Sequence, residues 1–458
     1  MCSWSTSRST THSDHNHVVM RLSYFLTPAR YAPLVVSLLL AALPTLSISA
    51  QVVQPPGVSL GLKYVRGQKN GIVVVPVSGA MGDSITTILS RDLDFSDRFT
   101  VVPSSTVGDV TESTNYPLFA KLGVDQIVQG TLLPSGWLRV VLHEVAKKSI
   151  VNSKDFALPA PAGSPSWRLA LHGVSDEIEM WITGQRGIAQ SRIAFASDKN
   201  SRVWIVDSDG ANVIPVTAVG MSPQWVPSGR GLVFNVLDGQ RNGLMYIDLT
   251  TGAQRVLTSS TAFEDVAPSV SPDGKTVVFS RTTAEGTDLY SMPLDGSAPA
   301  RRLTFGRGRA NSQPSFSPDG QRLVFASDRA GYNDVYISDA DGTNAEVLST
   351  TTFGDRGFRS GPDWSPDGRS VAFSSLNGNT KQIMTINLRD QSVKSVATEG
   401  RNDDPSWAPD SRHVVFSSDR SLVKQIWVVD VETGRTRQIK TSFAARLAAW
   451  SPRLSLPY

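Results

Sequence analysis

The heptapeptide PSFSPDG, residues 314–320, returns along the second half of the chain with small changes. Variants begin at Pro223 (PQWVPSG), Pro268 (PSVSPDG), Pro362 (PDWSPDG) and Pro405 (PSWAPDS), so successive copies lie 45, 46, 48 and 43 residues apart. A truncated copy, AAWSP, puts Trp450 43 residues beyond Trp407. Each full phrase precedes a β-branched run ending in Phe234, Phe279, Phe325, Phe373 or Phe416, and a second such segment follows, as in VYISDADG around Tyr336. Strand-sized segments and turn signals with a period in the forties are the pattern of four-stranded propeller blades. Within the phrase, proline presets φ, aspartate bonds the local backbone and glycine accepts positive φ, so Pro-Asp-Gly specifies a tight turn.

The ends of the array state how a ring would close. The first copy, IAFASDKNSRVWIVDSDG from Ile193, lacks its leading Pro-x-Trp strand, whereas the last, from Ala449, has that strand and then stops. Combined in one blade they give six blades and remove the open edges of a linear array. The Trp series at 225, 364, 407 and 450 reads as packing between blades. The expected fold is mainly β with an α/β part, a six-bladed β-propeller at 188–458 preceded by a small mixed α/β domain at 71–187.

That preceding module alternates helix and strand signals. The pattern predicts strands at 72–77, 99–102, 126–132 and 138–145, with a hairpin turn at Pro134-Ser135-Gly136. Helices are expected at 83–93 and 116–122, and from a Ser166 cap to Thr183, stopped by Gly184. Residues 159–165 read as a linker. Residues 51–70, with Pro55, Pro56, Gly57, Gly61 and Gly67, read as a flexible arm that either adds a strand to a partner's sheet or serves as a spacer.

The first fifty residues carry Arg21 and Arg30, a short interrupted apolar run at 32–46 and small residues Ser47, Ser49 and Ala50. That is a secretory signal peptide, starting at Met20, with a run too short for a comfortable membrane span. Export from the cytoplasm is therefore expected. The whole chain has 44 Lys plus Arg against 41 Asp plus Glu, too balanced for a nucleic-acid surface. Its single cysteine, Cys2, lies in the leader, so no disulfide framework is available.

Candidates for chemistry are few. GVSLG at 57–61 matches the Gly-x-Ser-x-Gly elbow, but Ser59 follows Gln-Pro-Pro instead of a strand and has no partner histidine in a hydrolase-like domain. Beyond the leader only His143, His172 and His413 remain, far apart in sequence. His172 and Asp176 share a helix face and read as a domain-junction pair. DSDGAN from Asp207 and DADGTN from Asp339 lack the spacing and final Glu of calcium loops and read as turns. No cofactor or metal is implied.

The junction His172, Asp176, Glu177, Thr183, Gly184, Gly187 and Arg192-Ile193-Ala194-Phe195 resembles the TolB family, as do the Val74-Val75-Pro76 stretch and the closing AAWSP. The resemblance spans about residues 70–454. It implies a non-enzymatic periplasmic scaffold of the Tol–Pal system, monomeric before partner binding. Its implied partners are a Pal-like peptidoglycan-associated lipoprotein on the propeller and a TolA-like inner-membrane protein on the arm, besides other outer-membrane proteins. Supporting outer-membrane integrity and constriction at division is the implied role. Family contact positions carry over to Glu264, Ala267 and Ser312, with Glu264 where the family can have a histidine. Residues entering an innermost strand also crowd one channel mouth, so Asp265, Asn311, Gln313, Arg359, Asp403, Asp404 and Arg446 are expected to form a polar ring there. The alternative class is an exported glycan-binding or peptidase-related propeller. The absence of a hydrolase segment after Tyr458 counts against the peptidase form, and the scarcity of aromatics near the mouth, Phe263 and Phe358 excepted, counts against the glycan form.

Overall fold

The apolar run near the start of the first module forms a strand buried on both faces, β1 (Asn70–Val74), as central parallel strands require. The computed structural model describes residues 69–106, 114–198, 201–239, 242–305, 310–348 and 358–455; the leader and residues 51–68 of the arm lie outside them. Parallel to β1 run β2 (Phe99–Val101) and β3 (Gln126–Leu132), and antiparallel β4 (Trp137–Glu144) and β5 (Ser149–Ala157) complete the sheet order β2-β1-β3-β4-β5. Helices α1 (Gly82–Phe95) and α3 (Pro165–Thr183) cover one face through Ile85, Leu89, Leu171 and Ile178. Helix α2 (Tyr116–Lys121) covers the other through Phe119. Among the described residues no helix is long and apolar enough to cross a membrane.

Two local readings need correction. Strand β5 was not expected, because SIVNSKDFA is an edge strand with little burial and so carries no clean alternation. The cap of α3 is Ser164, whose Oγ accepts the Trp167 N–H at 3.2 Å; Pro165 then takes the first helical position, where its missing N–H costs nothing.

The repeats form six four-stranded antiparallel sheets among the described residues, arranged as a six-bladed β-propeller. Blade I is closed by the C-terminal strand: Ala445–Trp450 pairs with Arg192–Ser197, followed by Val203–Asp207 and Ile214–Pro215. Blades II to VI begin with innermost strands Met221–Trp225, Glu264–Val270, Asn311–Phe316, Arg359–Trp364 and Asn402–Trp407. Their second strands each bury one phenylalanine, and Phe195, Phe234, Phe279, Phe325, Phe373 and Phe416 are at most 1 % exposed. Trp225, Trp364, Trp407 and Trp450 are buried too, and the Trp225 and Trp407 indole N–H groups reach carbonyls of the preceding blade, Ala449 O and Asp363 O, both at 3.1 Å.

The Ser-Pro-Asp-Gly phrase has a specific mechanics. Ser271, Ser317 and Ser365 donate to Asp273, Asp319 and Asp367 at 2.5, 2.5 and 2.6 Å, and accept backbone N–H groups of Thr276, Arg322 and Ser370. The aspartates accept the N–H two residues on, and Gly274, Gly320 and Gly368 sit at φ 71°, 70° and 74°. In blade VI, Ser411 takes that left-handed place at φ 57°; Asp410 still accepts the Arg412 N–H at 3.0 Å, and with Ala408 in the serine's place its other oxygen bonds the His413 ring.

Truncating Trp450 to Ala should cost about 3–5 kcal/mol, as for other buried large-to-small changes. Urea unfolding checks this against Phe305→Ala on an exposed loop, where less than about 0.5 kcal/mol is expected.

Candidate functional site

Antiparallel order puts two kinds of connection at opposite ends of the channel. The links between second and third strands, and from one blade to the next, emerge at one face; the turns between first and second, and third and fourth, emerge at the other. The α/β domain holds the second face. Asp97 meets Arg412 and His413, Asp94 meets Arg435, and Arg91 and Arg168 meet Asp209 in the turn after the third strand of blade I. Glu264 and its neighbours lie at the first, distal face.

Each innermost strand carries a bulge in its pairing with the second strand. At each bulge one residue is left-handed: Ser222, Ala267, Gln313, Gly361, Asp404 and Leu447, with φ from 46° to 59°. Five of the six immediately precede proline, and all six line a channel cavity of ≈ 130 Å³. A bulge re-aims its side chain, here into the channel.

The expected polar ring therefore splits into several registers. Gln313 and Asp404 are at the bulge with Ala267 and line the channel. Ser312, Asp403 and Arg446 come one residue earlier and are half-buried. Asp403 is paired with Lys381 and, at 3.5 Å, with Lys424, while Arg446 meets Asp198 at 2.5 Å. Asp265, Asn311 and Arg359 come two residues earlier and are not in a solvated ring at all. They are buried: Asp265 holds Arg281 through two bonds of 2.7 and 2.9 Å, Arg359 holds Asp334 at 3.1 Å, and Asn311 accepts from Arg329 and Ser327. The side-chain period of two turns them into the blade, a distinction that counting back from proline missed. Glu264, three residues earlier, is exposed.

Asp363 and Asp404 are the channel's carboxyls. Burial pushes both up to about 6, against the Trp407 N–H and Ser315 hydroxyl on Asp363, and with the Asp403 charge adding to the rise at Asp404.

A repeated bond braces the ring. Ser280 of blade III accepts the Gln313 N–H at 2.9 Å, and Ser417 of blade VI accepts the Leu447 N–H at 3.1 Å. Blade IV has Ala326 at that place, and the Gln313 amide oxygen takes over, accepting the Gly361 N–H at 2.9 Å.

His172 and Asp176 lie where the chain passes from α3 into blade I. His172 Nδ1 meets Asp92 Oδ2 at 2.7 Å, and its Nε2 lies 3.8 Å from Asp209 and 4.0 Å from Asp207. Asp176 accepts the Ala189 and Gln190 N–H groups at 2.7 and 3.0 Å, pinning the turn before Arg192. Sequence reading missed that His413 builds a second such cluster, with Asp410 at 2.7 Å and Asp97 at 3.4 Å. The Asp410-x-x-His413 spacing was its only signal. Asp92, His172 and Asp209, and likewise Asp97, His413 and Asp430, converge closely enough to suggest metal ligands. Guanidinium groups already occupy these carboxylates, Arg168 on Asp209 at 2.6 Å and Arg412 on Asp430 at 2.7 Å, so the clusters are better suited to ion pairing than to a cation. The third histidine, His143, bonds Tyr116 and Gln129, both at 2.8 Å, inside the α/β domain. The Ser59 elbow lies outside the described residues.

A family model described as the TolB beta propeller domain matches residues 180–454. Proteins of two Haemophilus influenzae strains, each described as "Tol-Pal system protein TolB", are 29% identical over 203 residues, 41% of this chain and 48% of each relative. The chain thus spans about half the length of the curated relatives it matches. A crystal structure of TolB from Acinetobacter baumannii superposes with a TM-score of 0.75 at 24% identity, covering 84% of this chain and 97% of that one.

Gln313→Ala should leave the Gly361 N–H unpaired and cost about 1–3 kcal/mol. Adding Ala326→Ser, which supplies the hydroxyl that blades III and VI use, should recover at least half. Thermal unfolding of the single and double variants checks this.

Proposed function

The chain belongs to the TolB β-propeller family, and from that premise we propose that it is a non-enzymatic periplasmic scaffold of a Tol–Pal system. It docks a Pal-like peptidoglycan-associated lipoprotein at the distal channel mouth, and the arm at 51–70 engages a TolA-like inner-membrane protein. Its role is to support outer-membrane integrity and envelope constriction at division.

One observation carries the reading: the α/β domain occupies the proximal face of blades I and VI through Asp94, Asp97, Arg91 and Arg168, at the end of the channel opposite to the distal mouth. That mouth has the anatomy of a protein-docking rim. Apolar side chains stand in solvent beside charges, with Phe358 49% exposed next to Lys381 and Leu422 99% exposed two residues from Lys424. Inside them the half-buried Ser312, Asp403 and Arg446 surround the channel entrance. Glu264 and Ser312 are the contact residues of this reading, Ala267, Gln313 and Asp404 shape the channel wall, and Asp265, Asn311 and Arg359 hold the rim from beneath. No histidine stands at the mouth among the described residues, so the channel hydroxyls, Ser315 on Asp363 among them, have no imidazole base of the hydrolase kind beside them.

The test is calorimetric titration of the chain, begun at Gln51, with the OmpA-like domain of the lipoprotein from the same cell. Glu264→Lys combined with Ser312→Trp should weaken binding at least tenfold, about 1.4 kcal/mol, while removing residues 51–68 leaves it unchanged. Absence of binding by the parent chain would overturn the scaffold reading.

A further inference from the structure

The α/β domain is joined to the propeller by two clamps of opposite polarity. At blade I the α/β domain supplies the cations: Arg91, Arg168 and His172 face Asp207 and Asp209 of the propeller. At blade VI it supplies the anions: Asp94 and Asp97 face His413, Arg412 and Arg435. Reversed signs at two points admit one docking orientation and penalise the others through like-charge contact. At the centre of each clamp is a histidine at most 1% exposed, and each ring is held by carboxylates from both domains: Asp92 with Asp207 and Asp209 at His172, Asp97 with Asp410 at His413.

We propose that these clamps form a proton-controlled latch, in which the two buried histidinium groups tie the α/β domain to the propeller and loss of their protons releases it. At blade I, Arg91 and Arg168 continue to hold Asp209, and Arg192 continues to hold Asp207 at 3.0 Å. Neutral His172 can still donate its Nδ1–H to Asp92, beside the Ser175 hydroxyl at 2.8 Å, but its charge is gone, so an anion of α1 faces two anions of the propeller across an uncharged ring. Arg437, stacked on Phe95, is a further cation near Asp92, and burial pulls it down to about 10. At blade VI, Arg435 and Lys69 stay on Asp97 and Arg412 on Asp430 and Glu432, so that clamp weakens without inverting. The neighbouring acids act in the same direction. Glu179 of α3, paired with Arg98 at 2.5 Å, faces Asp410, and Asp176 lies one turn from His172.

The sign of the pH dependence follows from these environments. Burial lowers both rings, but Asp92, Asp209 and Asp207 around His172, and Asp410, Asp97 and Asp430 around His413, lift each to about 9. A raised histidine contributes fully below its ordinary 6.5 and loses that contribution as pH climbs to about 9. Burial also raises Asp176 to about 7 and Glu179 to about 8, despite backbone donors on the first and Arg98 on the second. Their folded-state contribution is likewise present at low pH and lost through those values. All four groups tighten the junction in acid and loosen it in base.

The experiment uses the full chain with Cys2→Ser and dye pairs at Lys121→Cys on α2 and Glu285→Cys on blade III, both exposed. Energy transfer should be highest at pH 5 and fall as pH rises, with a midpoint between about 7 and 9, reversibly, with the far-ultraviolet spectrum unchanged. His172→Gln with His413→Gln should bring the value at pH 6 most of the way to the alkaline one, leaving only the smaller step that Asp176 and Glu179 supply. Transfer that stays flat from pH 5 to 10 in the parent chain would overturn the latch, whether or not the double variant folds. A folded double variant that retains the parent's acid value would overturn it too.

Discussion

One strand pairing closes the molecule. Ala445–Trp450 lies against Arg192–Ser197, residues some 250 positions away, and everything else is arranged around that seam. Without it blade I would lack its innermost strand and the channel one of its six left-handed wall residues, Leu447. The seam is also fastened from outside the sheet. The Trp450 indole donates to Ser191 Oγ at 2.7 Å, the Leu454 N–H reaches Gln190 O at 3.0 Å, and Arg453 bonds the carbonyls of Gly187 and Arg186. The segment that leaves α3 is therefore held by the last residues of the propeller. A closed ring has no edge strand at the seam to recruit other chains.

The α/β domain sits across the closing blade and its neighbour, and buried ions dominate that contact. Such pairs add little net stability, since desolvation offsets much of the attraction, while removing one partner is costly. Their use is orientation. Gly187 illustrates how tightly the region is built: a Cβ there would lie 2.4 Å from Asp176 Oδ1 and 2.6 Å from Glu179 Oε2, so the turn into blade I admits only glycine without rearrangement. The rest of the near face is more open, with a cleft of ≈ 850 Å³ between the α/β domain and blades V and VI, bordered by Lys69, Arg98, Arg369 and Lys394.

Much of this was legible in the chain because the repeat is periodic and local. The Pro-Asp-Gly turns, the buried phenylalanines and the two half-repeats each follow from spacing alone, and together they specify six blades with a joint first blade. Most helix and strand positions of the α/β domain also follow from apolar periodicity. What escaped was decided by tertiary context. β5 carries no alternation because it is an edge strand. The bulges escaped because one extra residue changes which side chains face the channel, so Asp265, Asn311 and Arg359 turn inward while Gln313 and Asp404 turn to the lumen. The His413 cluster escaped because Asp97 is 316 residues away in sequence.

The central claim is that partner binding uses the distal mouth while the proximal face serves the α/β domain. Hydrogen–deuterium exchange of the chain with and without the OmpA-like lipoprotein domain tests it most directly. The account predicts slowed exchange in residues 261–267, 310–313, 358–360 and 401–403, with no change in the proximal turns at 208–213, 408–412 and 431–435. Protection centred on those proximal turns, with the distal segments exchanging as before, would contradict it.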